Sequence, residues 1–484
     1  MKTTIDQRGC GKGKTTQRIY NRIQYNIQHN IKTLVVVPGL QLQKQYSDEK
    51  TGIDYPAEVI NNKVYNKYHY KYKSTVQALV NSMSSGENII IITHKTFTLL
   101  PKDNGYKNQY DLIIDEALEE VVKLSKVTYK KTEWDINFNL ANLFSFENEI
   151  SQEAIELSDE DGDWTKISIK LNPGQTLLND SESFNNLIDP NYITYVTGHG
   201  WKVLIQKTEG EARIINVLNP HIITGWHDVL IAAAAFKYTK MYYWLKTYNI
   251  DFYIITEFEP HNSYIRLHTD KNIGQRFNKE LTGKTGIIYS NTLIKKYPEI
   301  VNNYHTYINQ HRTGELITVR NKHQDKKLPN EKELSHNVHG LNDYQNITNV
   351  NLESALNMDP HIESFYRTVW LSLLSKSNQD RMILHFHSSY LFYQVIMRTS
   401  LRSINYTNQV IDVFTPDLSI ATAILDYFNE DFVEIHEMDL LNGIPETPKN
   451  NGRPIGTTKL DKMSKSEYNK RAYETKKTKK NSVI

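Results

Sequence analysis

The sequence predicts an α/β fold in which two parallel-sheet lobes follow one another along the chain, and three observations carry that expectation. Short β-branched runs, Leu34–Val37 and Ile89–Ile92 among them, are bounded by turn residues and separated by helical stretches, the rhythm of βα units. A Gly-rich turn from Gly9 to Gly13 lies between the first strand and the first helix, where open parallel sheets put their binding loops. The rhythm breaks after about residue 125, resumes by Asp228 and recurs to about residue 440, so the first α/β body holds an insertion and a second body follows it.

Taken in order, Thr3–Gln7 reads as a strand and about Thr15–Gln28 as the helix after it. Thr33–Val37 is the second strand, stopped by Pro38-Gly39 and followed by a helix. Ala57–Ile60 reads as a third strand and Ser74–Met83 as a helix. Asn88–Thr93 is a strand, followed by a short helix that ends at Pro101. Asp111–Ile114 is a strand that runs into acidic residues. Residues 126–215 carry the acidic patch Glu156–Asp163 and the turn Asn172-Pro173-Gly174, yet are too apolar for disorder, and read as an inserted subdomain. Asp228–Ala235 and Asp251–Thr256 complete the first lobe, which takes residues 1–125 and 216–265. The second lobe takes 270–440, with strands expected near Gly286–Ser290, Leu316–Val319, Met382–Phe386 and Val410–Phe414.

Composition excludes whole classes. At 484 residues, 39% hydrophobic and 23% charged, the chain has the balance of a soluble globular protein with more than one core. Its longest apolar runs are too short to cross a bilayer, Met1–Arg8 does not read as a signal peptide, and no membrane partner is expected. The single cysteine, Cys10, cannot form an internal disulfide and fits a reducing, cytoplasmic setting. Net charge is only +2, but the average conceals an asymmetry. Residues 449–484 hold 11 Lys/Arg against 3 Asp/Glu, a net +8, which leaves the body at −6. That segment is expected to be a disordered basic tail.

Chemistry enters at Gly9-Cys10-Gly11-Lys12-Gly13-Lys14-Thr15-Thr16. A phosphate-binding loop needs glycines so that successive backbone N–H groups can face one anion, a lysine for the β/γ-phosphates and a hydroxyl for Mg²⁺. Gly11, Gly13, Lys14 and Thr15 stand at those offsets, with Arg8 in place of the first glycine of the strict pattern. Such a loop requires a second acid. Asp111-Leu112-Ile113-Ile114-Asp115-Glu116 supplies one, with Asp115 suited to Mg²⁺ and Glu116 to polarising the attacking water.

These residues resemble motifs of the superfamily 2 helicases of DEAD/DEAH-like type. Arg8–Thr15 is similar to their AxxGxGKT motif I and Asp115-Glu116-Ala117-Leu118 to motif II. Val35–Pro38 resembles motif Ia and Ile92–Lys95 motif Ib; by that likeness Pro38, Gly39, Thr93, His94 and Lys95 would hold a nucleic-acid backbone. Leu230–Phe236 resembles motif III without its usual hydroxyls. Gly340-Leu341-Asn342 is similar to motif V, which would add Gly340 and Asn342 to the nucleic-acid contacts. Gln394–Arg398, continuing to Arg402, resembles motif VI. The likeness implies a P-loop NTPase of two RecA-like lobes with ATP and Mg²⁺ between them. Gln394 would sense the γ-phosphate, with either Arg398 or Arg402 as an arginine finger. It also implies DNA as partner, a single strand or fork, with RNA as an alternative.

The long spacing between motifs II and III resembles helicases encoded by bacteriophages, which implies replication or recombination in a host cytoplasm and partners in a replication machinery. In the tail, Gly452-Arg453-Pro454 looks like an AT-hook core that would set Arg453 in a duplex minor groove. A packaging ATPase and an ATP-gated DNA-binding or replication-initiation protein are the competing expectations.

Overall fold

β-Branched residues at successive positions make strands that are buried on both faces, and the chain uses them to build its parallel sheets. The structure, a computed structural model, describes residues 3–47, 57–60, 74–101, 104–129, 144–147, 163–171, 189–205, 210–277, 297–320, 328–334, 344–354, 356, 358–402 and 409–444. Within Met1–Leu440, which forms one compact unit, the described residues make three sheets. Leu441–Ile484 is a separate unit, of which only the turn at 441–444 is described, so the basic tail from 449, Arg453 included, lies outside the described residues.

The first lobe's strands are β1 (Thr3–Asp6), β2 (Lys32–Val37), β3 (Glu58–Val59), β4 (Ile89–Thr93) and β5 (Tyr110–Asp115). Between them lie helices Tyr20–Gln28, Leu40–Tyr46, Thr75–Ser85 and His94–Phe97. The chain then leaves for an antiparallel sheet of β6 (Val122–Tyr129), β7 (Phe144–Glu147), β8 (Thr165–Leu171), β9 (Tyr192–Val196) and β10 (Gly210–Leu218). It returns through β11 (Asp228–Ala232) and β12 (Tyr253–Thr256). The seven strands of the first sheet run parallel in the order β12-β1-β11-β5-β2-β4-β3. β11 therefore lies between the strand that feeds the Gly-rich loop and the strand that ends in Asp115. Both functional ends open at the carboxyl edge, with the Ala-rich end of β11 between them.

The second lobe is a parallel sheet of β13 (Ile265–Asp270), β14 (Leu316–Val319), β15 (Glu331–Leu334), β16 (Asn349–Leu352), β17 (Ile411–Asp417) and β18 (Val433–Glu437), in the order β15-β14-β16-β17-β13-β18. β13, β15, β16 and β18 come in addition to the strands the sequence suggested. Their polar residues hide them, since β13 reads Ile-Arg-Leu-His-Thr-Asp and yet buries His268 and Asp270. Met382–Phe386, expected as a strand, is instead helical. It closes the helix Lys376–Leu384 and opens the helical turn His385–Ser389. Met382, Ile383 and Phe386 stand at helical spacing and pack into the first lobe's core, and a short apolar run alone does not separate the two conformations. Gly286–Ser290 lies outside the described residues, as do Gly340 and Asn342.

One core is shared widely. Trp164, Tyr192 and Tyr195 of the antiparallel sheet and Phe365, Tyr366, Trp370 and Phe386 of the second half of the chain join the first lobe's apolar residues in a single cluster. Trp164 and Tyr195 both meet Phe365 edge-on, at 6.0 and 5.0 Å between ring centres.

The second sheet's carboxyl edge is tied by a buried network. Arg320, just past β14, donates to both oxygens of Glu331 at 2.8 and 2.7 Å and to Glu353 at 2.8 Å, and His305 lies 2.6 Å from the other oxygen of Glu353. Burial pushes the Glu353 carboxyl up, but His305 and the Arg320 charge outweigh it and hold it below its ordinary value. Glu353→Ala strands part of a buried guanidinium and should cost on the order of 3 kcal/mol. A denaturant midpoint equal to wild type would contradict this. Because the folded-state carboxyl is depressed, the contribution is complete above its ordinary value and is lost as the pH falls below that through the depressed folded-state value.

Candidate functional site

The Gly-rich loop begins where β1 ends. Gly11 and Gly13 take φ of 75° and 77°, the left-handed region that favours glycine and lets the loop wrap inward. The Gln17 N–H donates to the Gly13 carbonyl at 2.7 Å as the helical segment starts at Lys14. Lys14 is buried, and its ammonium donates back to the carbonyls of Arg8 at 2.7 Å and Gly9 at 3.0 Å. Arg8 is held in turn by the buried Asp6 through three contacts of 2.6 to 3.1 Å. Lys12 is exposed and Thr15 half-buried on the same loop; the Thr16 side chain lies outside the described set.

β5 brings the acids. Tyr110 to Asp115 are all buried, and Asp115 is 3% exposed at the strand's end. Its Oδ2 accepts the Tyr46 hydroxyl at 2.8 Å, and its backbone carbonyl accepts from His94 Nε2 at 3.0 Å. Glu116 turns out of the strand at φ 68°, strained for a side-chain-bearing residue, and its N–H donates to the Ala232 carbonyl at 3.0 Å. The Ala-rich end of β11 fills the gap: Ala233 and Ala235 donate to the Asp6 and Gln7 carbonyls at 3.1 Å each. Ala232 to Ala235 are wholly buried, and their links to the strand ends on either side are made by backbone groups.

The second lobe contributes the helix Tyr390–Ile396. Phe392, Tyr393, Val395 and Ile396 are fully buried, while Gln394 Nε2 reaches Glu116 Oε2 at 3.4 Å. Arg398, 4% exposed, follows immediately; the Arg402 side chain lies outside the described set. Tyr393 was not singled out from the sequence, yet its hydroxyl accepts the Cys10 N–H at 2.9 Å and lies 2.9 Å from His261 Nε2. Burial, followed by the charges of Lys12 and Lys14, pushes His261 down to about 4, so the ring is neutral and able to accept a hydrogen bond from the Tyr393 hydroxyl. Gly9 exists as glycine because His261 comes so close: a Cβ there would stand 2.4 Å from Nε2.

The residues expected to hold nucleic acid also meet. Pro38, Gly39, His94 and Lys95 line a cleft of about 340 Å³ together with Leu118, Glu119 and Glu120. Thr93 is buried and caps the helix after it, its hydroxyl accepting the Thr96 N–H at 3.3 Å. Thr93 therefore serves the fold at this point, and Glu119 and Glu120 give one wall an acidic character that the sequence reading had not included.

Tyr46, His261 and Tyr393 are the site residues that sequence reasoning missed. Tyr46 had a weak signal, as the last residue of the helix after Pro38-Gly39. His261 had none.

These elements make an α/β protein of two RecA-like parallel-sheet lobes with a glycine-rich loop at the carboxyl edge of the first. Among solved structures the chain is similar to S. tokodaii Xpd4, at 12% identity and a TM-score of 0.47 over 90% of this chain and 96% of that one. No family model matches the chain, and neither does any curated protein.

The close approach at Gly9 can be tested directly. Gly9→Ala drives a methyl into the His261 ring and should destabilise the chain by about 1–3 kcal/mol, as overpacking does. Adding His261→Ala should recover most of that loss, since it removes the obstructing ring. Equal midpoints for Gly9→Ala and wild type in thermal unfolding would show that His261 does not crowd position 9.

Proposed function

We propose that this chain is an ATP-dependent DNA helicase or translocase of superfamily 2, hydrolysing ATP with Mg²⁺ between its two lobes. The observation that carries the reading is the meeting of Gln394 with Glu116, which joins the second lobe to the acid beside the P-loop. The donor set fits the nucleotide and its metal. Thr15 and Asp115 offer the hard oxygens Mg²⁺ prefers, and the Lys14 ammonium rests on two backbone carbonyls that phosphate oxygens can replace. Bound Mg²⁺ would neutralise charge on the phosphates.

The chain's own residues do the rest. Backbone N–H groups of Gly11 to Thr15 and Lys14 hold the phosphates. Glu116 accepts a proton from the attacking water as the water's oxygen bonds to the γ-phosphorus and the bond to ADP breaks. Gln394 orients Glu116, and Arg398 or Arg402 meets the charge that develops on the phosphoryl group. Opening and closing of the lobes around that event would move a strand bound by Pro38, Gly39, His94 and Lys95 in the first lobe and by Gly340 and Asn342 in the second. The basic tail, with Arg453, is read as a tether on duplex DNA. The likeness to bacteriophage helicases is the ground for reading its task as phage replication or recombination.

Lys14→Ala should abolish nucleotide binding or turnover, whereas Glu116→Gln should bind ATP normally and hydrolyse it slowly, because Lys14 acts in the ground state and Glu116 only during attack. Wild-type turnover by Glu116→Gln would remove Glu116 as the base. Of Arg398→Ala and Arg402→Ala, one should lose on the order of 10³-fold in kcat with little change in ATP affinity. Full activity in both would leave the second lobe without a finger. Strand separation of a forked duplex distinguishes a helicase from a protein that only hydrolyses ATP on DNA.

A further inference from the structure

The two elements on either side of the cleft also hold Asp115. The helix Leu40–Tyr46 starts in the cleft wall, at Gly39 and Leu40, and ends at Tyr46, whose hydroxyl donates to Asp115 Oδ2 at 2.8 Å. The helix is only two turns long, so a shift at its start reaches Tyr46 with little loss. The Tyr46 ring is 0% exposed and meets Tyr20 edge-on at 5.3 Å. Burial first, and then the Asp115 charge, hold its proton far above the ordinary phenol range, and the Thr15 hydroxyl is its other hydrogen-bonding neighbour. The phenol thus stands between the two residues read above as metal ligands.

His94 makes the second link. It lines the same cleft, and its Nε2 lies 3.0 Å from the Asp115 carbonyl. A carbonyl only accepts, so Nε2 carries the proton. A phenylalanine would fill the Tyr46 space equally well, and many residues could line the cleft at position 94. What packing alone leaves unexplained is that both polar groups converge on one carboxylate residue.

We propose that Tyr46 and His94 are positioning residues for Asp115, through which occupancy of the Pro38–Glu120 cleft is transmitted to the Thr15–Asp115 metal pair. This rests on the reading of Thr15 and Asp115 as the Mg²⁺ ligands. A strand against Gly39 and His94 would press on the helix that ends at Tyr46 and on the imidazole that fixes the Asp115 backbone, so strand binding and metal binding change together.

Calorimetric binding of ADP to the full chain, with and without Mg²⁺ and with and without a single-stranded oligodeoxythymidylate, tests this without relying on turnover. Tyr46→Phe should keep Mg²⁺-free ADP affinity within about twofold but lower the gain conferred by Mg²⁺ about tenfold, as expected for losing a hydrogen bond to a charged group. His94→Ala, which loses a bond to a neutral carbonyl, should lower that gain about threefold. The oligonucleotide should alter the Mg²⁺ gain in the wild-type chain and leave it unaltered in either variant.

A full Mg²⁺ gain in both variants overturns the positioning role, and a gain that still responds to the strand in both overturns the transmission. If Tyr46→Phe also loses Mg²⁺-free ADP binding, the fold of the loop has been lost and His94→Ala alone decides. A wild-type chain that binds no ADP at all would instead overturn the P-loop reading on which the proposal stands.

Discussion

Strand β5 holds Asp115 and Glu116 where they can act, and the rest of the structure is arranged around that constraint. Leu112, Ile113 and Ile114 are fully buried between β2 and β11, each worth about 1.5–3 kcal/mol of burial, enough to offset seating a carboxylate at the strand's end. The far end is fixed by charge. Arg22 bridges Asp111 and Asp228 at 2.7 Å each, while Asn26 and His227 complete the contacts of Asp111 at 2.9 and 2.7 Å. Apolar packing at one end and, at the other, a half-exposed ionic network around the buried Asp111 thus fix the register of β5 against β11. The acids and the Ala-rich turn are positioned by that register.

The two lobes differ in what they give the site. The first supplies a loop, two acids and a cleft, all projecting from strand ends. The second supplies one helix, Tyr390–Ile396, whose apolar side chains sit in a core that also takes in Ala234 and Ala235 of the first lobe, while Tyr393 and Gln394 touch the first lobe at Cys10 and at Glu116. Residues 362–386 pack into the first lobe's core and against the antiparallel sheet. The second lobe therefore meets the first through apolar packing in two regions, with small polar contacts added at Cys10 and Glu116.

The sequence was most legible where chemistry and geometry coincide. Gly11 and Gly13 turn the loop inward because glycine takes positive φ at little cost, Lys14 and Thr15 follow as the helical segment opens, and the β-branched runs are strands buried on both faces. It was least legible where polar residues are buried through partners far along the chain. β13 and β16 carry His268, Asp270, Asn349 and Asn351, whose burial depends on contacts that local sequence does not reveal. Met382–Phe386 misled in the opposite direction, an apolar run whose helical spacing becomes evident only with Ser375 as its cap. Tyr46 and His261 act across 69 and 132 residues of sequence, on Asp115 and Tyr393, and no short motif encodes such pairs. Motif-like likeness led to Gln394, while the adjacent Tyr393 carries no motif and was not singled out.

The central claim is that hydrolysis at the P-loop is coupled to nucleic acid held by the same two lobes. Steady-state ATP turnover by the full chain, measured alone and with saturating single-stranded DNA, duplex DNA or RNA, tests it most directly. The account predicts Mg²⁺-dependent hydrolysis that is slow alone and rises severalfold or more with single-stranded DNA. Turnover that is absent under every condition, or identical with and without nucleic acid, would contradict it.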